Sequence, residues 1–152
     1  MINIKYELTD IIQNGIKNYT GSYRIYIWKE TLKEVPNHLY TGIGIDNFKY
    51  IRNGVPITVN IKDKMLYFDK THNDYLQILI TEGIFALISY LLLIILVFYA
   101  TITSNVKKEN PGLIYSFIGY LLQMITIFSV ITVAPIFYMI MGFIVSNKLL
   151  KE

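Results

Sequence analysis

No charged residue occurs between Gly83 and Val106. Within this run, residues 84–103 would form a helix long enough to cross the hydrocarbon core of a bilayer, which is roughly 30 Å thick. An uncharged run of this length is rare in a soluble domain and typical of a membrane-spanning helix. The sequence therefore predicts a transmembrane helix at 84–103.

A second uncharged run, residues 111–147, follows a short polar segment. As a single helix it would measure about 55 Å, which is too long for one crossing. We expect it to fold back near residues 131–135, because Pro135 interrupts a helix. This predicts two transmembrane helices within 113–147, with one long tilted or kinked helix as the alternative.

Basic residues lie in the loop 104–112 and in the tail 148–152. Short basic segments prefer the cytoplasm, so we expect this loop and this tail to be cytoplasmic and residues 1–83 to lie outside. Residues 1–83 carry no signal peptide pattern. We therefore expect upstream transmembrane helices, and we interpret the chain as the C-terminal part of a larger polytopic protein.

Composition agrees with a membrane protein and excludes other classes. The chain is 53% hydrophobic and only 16% charged, and its mean hydropathy is +0.42. A net charge of +3 without a basic patch gives no case for nucleic-acid binding. With no cysteine and two histidines, His38 and His72, a metal site is not expected either.

The segment Asp69–Gly83 runs from polar residues directly into apolar ones. Thr71 followed by Asp74 is similar to a capping box, which predicts a helix near 72–83 with His72 in its first turn. A helix start attracts anions, and histidine is the side chain best suited to moving protons near neutral pH. His72 is therefore a candidate catalytic residue, or else a polar residue at the helix cap.

An amphipathic helix is predicted near 22–35, beginning after Ser22 and ending at Pro36. Arg24 and Trp28 are four residues apart and share one face of this helix. The alternative for Arg24 is a solvated arginine on an amphipathic helix.

The next segment contains two closely spaced glycines. Gly42 and Gly44 lack the third glycine of a dinucleotide fingerprint, so we expect them to turn the backbone tightly against a helix, with the Asn47 side chain closing the turn. Residues 49–70 are a charged connector, with a turn at 52–54 and extended residues at 55–61, which we interpret as a mobile flap.

These motifs together resemble the O-antigen ligase and O-antigen polymerase group of bacterial polytopic membrane proteins. The resemblance rests on Arg24 with Trp28, on the glycine turn 42–48, and on His72-Asn73 followed after nine residues by Gly83. Ligases of this group often carry hydroxyl residues shortly after that glycine. This chain has Ala86 and Leu87 there, which favours a capsule or O-antigen polymerase.

The resemblance implies an inverting, metal-independent transfer of a glycan from undecaprenyl diphosphate to a sugar hydroxyl at the outer face of the inner membrane. It implies catalytic roles for His72, as the base or as the group that orients the acceptor, and for Arg24, as a diphosphate contact. The residues expected to bind substrate are Arg52, Lys70, Asn73 and Glu82. The residues expected to form the structural motif are Trp28, Gly42, Gly44, Asn47 and Gly83. No cofactor is expected.

The predicted fold class is an all-α membrane protein, in which an extracytoplasmic region of helices and irregular loops precedes about three transmembrane helices. The expected partners are the lipid-linked glycan, membrane lipid, and the missing upstream helices or other polysaccharide-assembly proteins. Two further functions remain open. One is a non-catalytic membrane subunit, or an inactive fragment, that binds a lipid-linked glycan or a partner, and the other is transfer of glycan to protein.

Overall fold

The computed structural model describes residues 22–61, 64–103, 110–127 and 132–149, which form five α-helices, a short 3-10 helix and a two-stranded sheet. The elements in chain order are α1 (Arg24–His38), the 3-10 helix (Phe48–Tyr50), β1 (Ile57–Ile61), β2 (Lys64–Phe68), α2 (Asp74–Glu82), α3 (Ile84–Thr103), α4 (Pro111–Gln123) and α5 (Ala134–Leu149). The described residues are mostly helical, as the sequence predicts.

Several predictions concern residues outside this description. Most of the predicted cytoplasmic loop 104–112 and the end of the tail 148–152 lie there, as do residues 1–21 and the beginning of the expected fold-back near 131–135. The sidedness of all these segments stays a prediction.

The two strands form an antiparallel hairpin, in which Ile57 pairs with Phe68 and Val59 pairs with Leu66. Residues 57–61 include three β-branched apolar side chains, which favour extended backbone over helix. The extended backbone expected at 55–61 is confirmed for β1, whereas the all-α fold class is wrong for this segment.

A tight turn leads into the hairpin. Arg52 and Val55 form an isolated bridge, and the residues between them, Asn53 and Gly54, both have positive φ. Asn-Gly is the pair that such turns favour, because these two residue types tolerate left-handed backbone best. The turn predicted at 52–54 is confirmed.

Buried apolar side chains form two clusters. The first lies among α1, the 3-10 helix, β1 and α2, and consists of Ile27, Phe48, Ile51, Ile57 and Ile80. The second lies among α3, α4 and α5, and consists of Ile94, Val97, Ala100, Ile114, Phe117, Met124, Phe137, Met141 and Ile144. The segment before α3 therefore has a hydrophobic core of its own.

Helix α3 has 20 residues, none of them charged. At 1.5 Å per residue it is about 30 Å long, enough to cross a bilayer core. Only 22% of the most apolar 18-residue stretch of α3 is buried, whereas a core helix of a soluble protein would be mostly buried. Among the described residues, α3 is the one helix whose length and composition both suit a membrane crossing.

The second uncharged run contains two helices that pack together. The ring of Phe137 on α5 stacks on Phe117 and Tyr120 of α4, with centroid distances of 5.6 Å and 4.3 Å. Helix α4 has 13 residues and is therefore about 20 Å long, shorter than a bilayer core. The alternative of one long helix is wrong, while the crossing of a membrane by α4 and α5 stays a prediction.

The start and the end of α1 differ from the sequence expectation. The residue before the helix is Tyr23, which makes no side-chain cap, so Ser22 is not the cap. The helix also continues past Pro36 to His38. Proline has no backbone N–H to donate. Because Pro36 lies in the last turn of α1, only one helical hydrogen bond is lost there, and the helix continues.

Candidate active site

Helix α2 begins two residues later than a cap at Thr71 would place it. Asn73 is the N-cap, and its Oδ1 accepts a hydrogen bond from the backbone N–H of Leu76 at 3.0 Å. The Thr71 hydroxyl instead donates to the carbonyl of Asn73 at 2.7 Å, which closes a turn around His72. The predicted capping box is therefore wrong, and His72 precedes the helix.

The backbone on the N-terminal side of His72 is held from two directions. The indole Nε1–H of Trp28 on α1 donates to the carbonyl of Thr71 at 2.8 Å. The N–H of Thr71 donates to Oε1 of Gln77 on α2 at 2.9 Å. Thr71 itself is fully buried. We call residues 69–73 the histidine loop, and these bonds fix it between the two helices.

His72 adopts a left-handed backbone conformation, with φ of 54°. For a residue other than glycine, this region costs about 1–2 kcal/mol. Such strain persists only where the surroundings fix the backbone, and it is concentrated at functional sites. The hydrogen bonds to Thr71 supply that fixing.

Charged side chains from two elements act on His72. Its pKa is lowered from the usual 6.5, first by partial burial and then by the positive charge of Arg24, while Asp69 raises it and Lys70 lowers it further. Since a lowered pKa favours the neutral ring, the imidazole is available at neutral pH as a proton acceptor. The structure thus brings Arg24 and Lys70 into the electrostatic surroundings of His72.

The glycine turn docks onto the C-terminal end of α2. The N–H groups of Ile43 and Gly44 donate to the carbonyls of Ile80 and Thr81 at 2.9 Å and 2.8 Å. Carbonyls in the last turn of a helix have no partner within the helix, so these bonds satisfy them. The Asn47 amide also donates to the Ile43 carbonyl at 3.1 Å, which confirms that its side chain closes the turn.

Two glycines allow this close approach. A Cβ at Gly42 would lie 2.2 Å from the carbonyl oxygen of Thr81, and a Cβ at Gly83 would lie 2.5 Å from that of Tyr40. Both glycines also have positive φ, 64° and 90°. We call this mutual docking the glycine contact. It explains in physical terms why the spacing from His72-Asn73 to Gly83 matters, because α2 fills that interval.

An apolar groove of about 310 Å³ borders the histidine loop. It extends from Asn73 at the start of α2 to Leu87 in the first turn of α3. Its lining residues are Trp28, Leu32, Asn73, Tyr75, Leu76, Leu79 and Leu87. The groove thus connects the polar loop with the apolar helix α3.

The other residues predicted to bind substrate have different surroundings. Arg52 forms ion pairs with Glu30 and Glu34 of α1. Glu82 is exposed, and among the described residues it makes no ion pair with Arg24. Within the same part of the chain, no group of three or more His, Cys, Asp or Glu side chains could hold a metal ion.

Sequence reasoning missed two residues that support the site. Gln77 holds the Thr71 N–H, and Tyr75 donates its hydroxyl to the Leu121 carbonyl at 3.2 Å. Gln77 is an isolated amide in an otherwise apolar stretch of α2, which is the sequence signal that could have identified it. Tyr75 had no comparable signal, because its partner lies 46 positions away on α4.

A family model described as O-antigen ligase matches residues 1–91. The chain belongs to the O-antigen ligase family. The matched region contains the histidine loop, the glycine contact and the first residues of α3. Membership indicates a glycosyltransferase-like enzyme of the inner membrane that acts on a lipid-linked polysaccharide.

Searches of curated proteins and of solved structures gave no significant match. The assignment to the O-antigen ligase family therefore rests on the family model and on the motifs that the structure brings together.

Proposed function

We propose that this O-antigen ligase family member transfers a glycan from an undecaprenyl diphosphate carrier to a sugar hydroxyl at the outer face of the inner membrane. The observation that carries the proposal is the histidine loop, in which His72 has strained backbone and lies in the electrostatic field of Arg24 and Lys70. This combination offers a base and positive charge in one place, which glycan transfer from a diphosphate requires.

In the proposed reaction, His72 accepts the proton of the acceptor hydroxyl. The hydroxyl oxygen attacks the anomeric carbon of the donor as the bond from that carbon to the diphosphate oxygen breaks. A single displacement of this kind inverts the anomeric configuration. The negative charge that develops on the diphosphate is stabilised by Arg24, whose guanidinium can bind it in a bidentate manner, and by Lys70. The mechanism uses no metal ion or cofactor.

The apolar groove beside the loop suits the lipid part of the carrier. Its lining is mostly leucine side chains, and it extends from Asn73 toward the first turn of α3. A prenyl chain whose diphosphate lies at Arg24 could follow this groove toward the membrane. We propose that Asn73 and Trp28, which line the groove beside the histidine loop, mark the boundary between the diphosphate and the chain.

Arg52 is better suited to a structural role than to substrate binding. Its guanidinium is already paired with two carboxylates. Hydrogen bonds from Lys33 and then from Arg52 lower the pKa of the Glu30 carboxyl, against the opposing effect of burial. We propose that Arg52 ties the turn at 52–55 to α1, and that Glu82 ends α2 without contacting the diphosphate.

Ala86 and Leu87 occupy positions where ligases of this group often have hydroxyl residues, so we propose a polymerase rather than a ligase acting on lipopolysaccharide core. Transfer of glycan to protein is the remaining enzymatic alternative.

A non-catalytic membrane subunit is the second candidate function. Large apolar side chains on α3, such as Ile95, Leu96 and Ile102, are exposed. These side chains offer a surface to further helices as well as to lipid. In this alternative the histidine loop binds the lipid-linked glycan or a partner, and the transfer takes place elsewhere.

Transfer assays with the natural membrane protein separate the two functions. We expect His72→Ala to reduce polymer formation by about 10²–10⁴-fold, the contribution typical of a general base. His38→Ala removes the other histidine of the chain and should leave polymer formation near the wild-type level. Near-normal polymer from His72→Ala would refute the catalytic role and favour the binding subunit.

A further inference from the structure

A second cavity, of about 320 Å³, lies between residues 49–56, which include the turn at 52–55, and the end of β2. Aromatic rings of Tyr50, Tyr67 and Phe68 line it, together with the charged side chains of Lys49 and Asp69. We call it the aromatic pocket. Its volume is at the lower end of the range for small-molecule sites, which are typically about 300–1,000 Å³.

The two tyrosines of the pocket are open to solvent. Tyr67 is 66% exposed and Tyr50 is 53% exposed, although both belong to the part of the chain that has its own buried core. The Lys49 ammonium lies 4.9 Å from the centre of the Tyr50 ring, which places a hydrogen-bond donor beside that ring. The pocket thus presents two exposed aromatic rings beside one positive and one negative side chain.

The chemistry of the pocket fits one ring of a sugar. A pyranose has an apolar face of C–H groups and a rim of hydroxyls. The negative face of an aromatic ring attracts such C–H groups, as it attracts the positive edge of another ring. A carboxylate can accept hydrogen bonds from two hydroxyls, and an ammonium can donate to others.

The pocket borders the candidate active site on two sides. Asp69 lines the pocket and begins the histidine loop, and its charge acts on His72. The ring of Phe68 lies 6.5 Å from that of Tyr23, the residue immediately before Arg24. A glycan that occupies the pocket would therefore lie beside the first residue of the histidine loop and near the start of α1.

We propose that the aromatic pocket is a glycan subsite, which binds a sugar ring close to the bond that is made or broken. The assignment rests on the proposed function for its choice of ligand, since a protein that transfers a glycan at His72 must hold sugar rings beside it. The sugar belongs either to the donor chain or to the acceptor, and both present the same pyranose chemistry.

Binding to the natural membrane protein in nanodiscs tests the pocket directly. The probe is the oligosaccharide released by mild acid from the lipid-linked glycan of the same cells, and its Kd is measured by calorimetry. We expect Tyr67→Ala to weaken binding roughly five- to tenfold, because the ring stacking is lost, and Tyr67→Phe to bind like the wild type. Tyr40→Ala is the matched control, since Tyr40 is 68% exposed and does not line the pocket.

The proposal is overturned if Tyr67→Ala binds like the wild type, if Tyr40→Ala loses as much affinity, or if the wild type does not bind the oligosaccharide. Transfer kinetics then distinguish the two sources of the sugar. A KM raised by Tyr67→Ala for the lipid-linked donor alone identifies the donor chain, and a KM raised for the acceptor alone identifies the acceptor. If neither KM changes, the pocket has no part in the reaction and the proposal fails.

The His72→Ala variant keeps this test separate from that of the transfer itself. We expect it to bind the oligosaccharide normally while it loses transfer. If Tyr67 controls binding but His72→Ala transfers normally, the subsite stands and the proposed catalytic role fails. If His72→Ala loses transfer but Tyr67→Ala binds normally, the catalytic role of His72 stands and the subsite proposal fails.

Discussion

The residues before Gly83 and those after it are held together by different interactions. Before Gly83, side chains bind specific backbone atoms, as Trp28 binds the Thr71 carbonyl, and N–H groups of the glycine turn cap the end of α2. After Gly83, apolar side chains pack against each other and many remain exposed. Directional bonds fix atoms to within fractions of an ångström, whereas apolar packing between helices mainly fixes how the helices lie.

This difference suits two different tasks. The polar region holds a strained histidine in a defined position, which the proposed transfer needs. The apolar region provides a surface for lipid or for other helices. Where the two regions meet, the Asp74 N–H donates to the carbonyl of Met124 at 2.9 Å, so the first turn of α2 is bonded to the end of α4. The apolar helices thereby also help to position the histidine loop.

Glycine substitutions should show the largest difference in stability between the two regions. Gly83→Ala places a Cβ 2.5 Å from the Tyr40 carbonyl oxygen at a φ of 90°, so we expect the region before Gly83 to lose its fold. Gly119→Ala, in α4, meets no atom within 4 Å and should be neutral or slightly stabilising, by about 0.5–1 kcal/mol. Thermal unfolding and protease resistance of the two variants measure the contrast. Equal stability of both would contradict the role given to the glycine contact.

The next difference to test is the side of the membrane that each region faces. The chain has no cysteine, so single cysteines can be introduced at Asn53 and Asn110, which are both exposed. We expect an impermeant thiol reagent, added to intact cells, to label Asn53→Cys and not Asn110→Cys. Labelling of Asn110→Cys alone would place the histidine loop in the cytoplasm, and glycan transfer at the outer face would be excluded.

The tether from Trp28 should affect transfer more than stability. Trp28→Phe keeps an aromatic ring but removes the donor to the Thr71 carbonyl, which costs about 1 kcal/mol of stability. A histidine loop that shifts by 1 Å can lose up to about 10²-fold in rate, and we expect at least a tenfold loss in kcat. Tyr115→Phe, at an exposed position of α4, is the control. A kcat that stays at the wild-type value would show that the tether does not position His72.

Much of the fold could be predicted from the sequence. The lack of charge defined α3, Pro135 indicated the break before α5, and Asn53-Gly54 indicated the turn. The hairpin was harder to predict, because charged residues such as Lys62 and Lys64 made residues 49–70 resemble a loop. Caps were also misjudged at both Ser22 and Thr71. Each of these hydroxyl residues is a good cap by type, but tertiary hydrogen bonds to Thr71 decided where α2 begins.

The candidate site was predictable in its residues but not in its geometry. The motifs indicated Arg24, Trp28 and His72, yet a spacing of 43 residues between Trp28 and Thr71 gives no sign that they are bonded. Arg52 had the same residue type as Arg24, and only the structure reveals that carboxylates of α1 already pair with it. Partners distant in sequence therefore favour a structural role for Arg52.

The action of the Arg24 charge on His72 is the central claim, and the pH dependence of transfer tests it most directly. Because the His72 pKa is lowered and its neutral form is the base, activity should be lost at a lower pH than an ordinary histidine would give. Removing the charge in Arg24→Gln should raise the His72 pKa, so its loss of activity should begin at a higher pH. Arg52→Gln, whose charge does not act on His72, should keep the wild-type profile. A profile that Arg24→Gln leaves unchanged, or that Arg52→Gln shifts equally, would contradict the account.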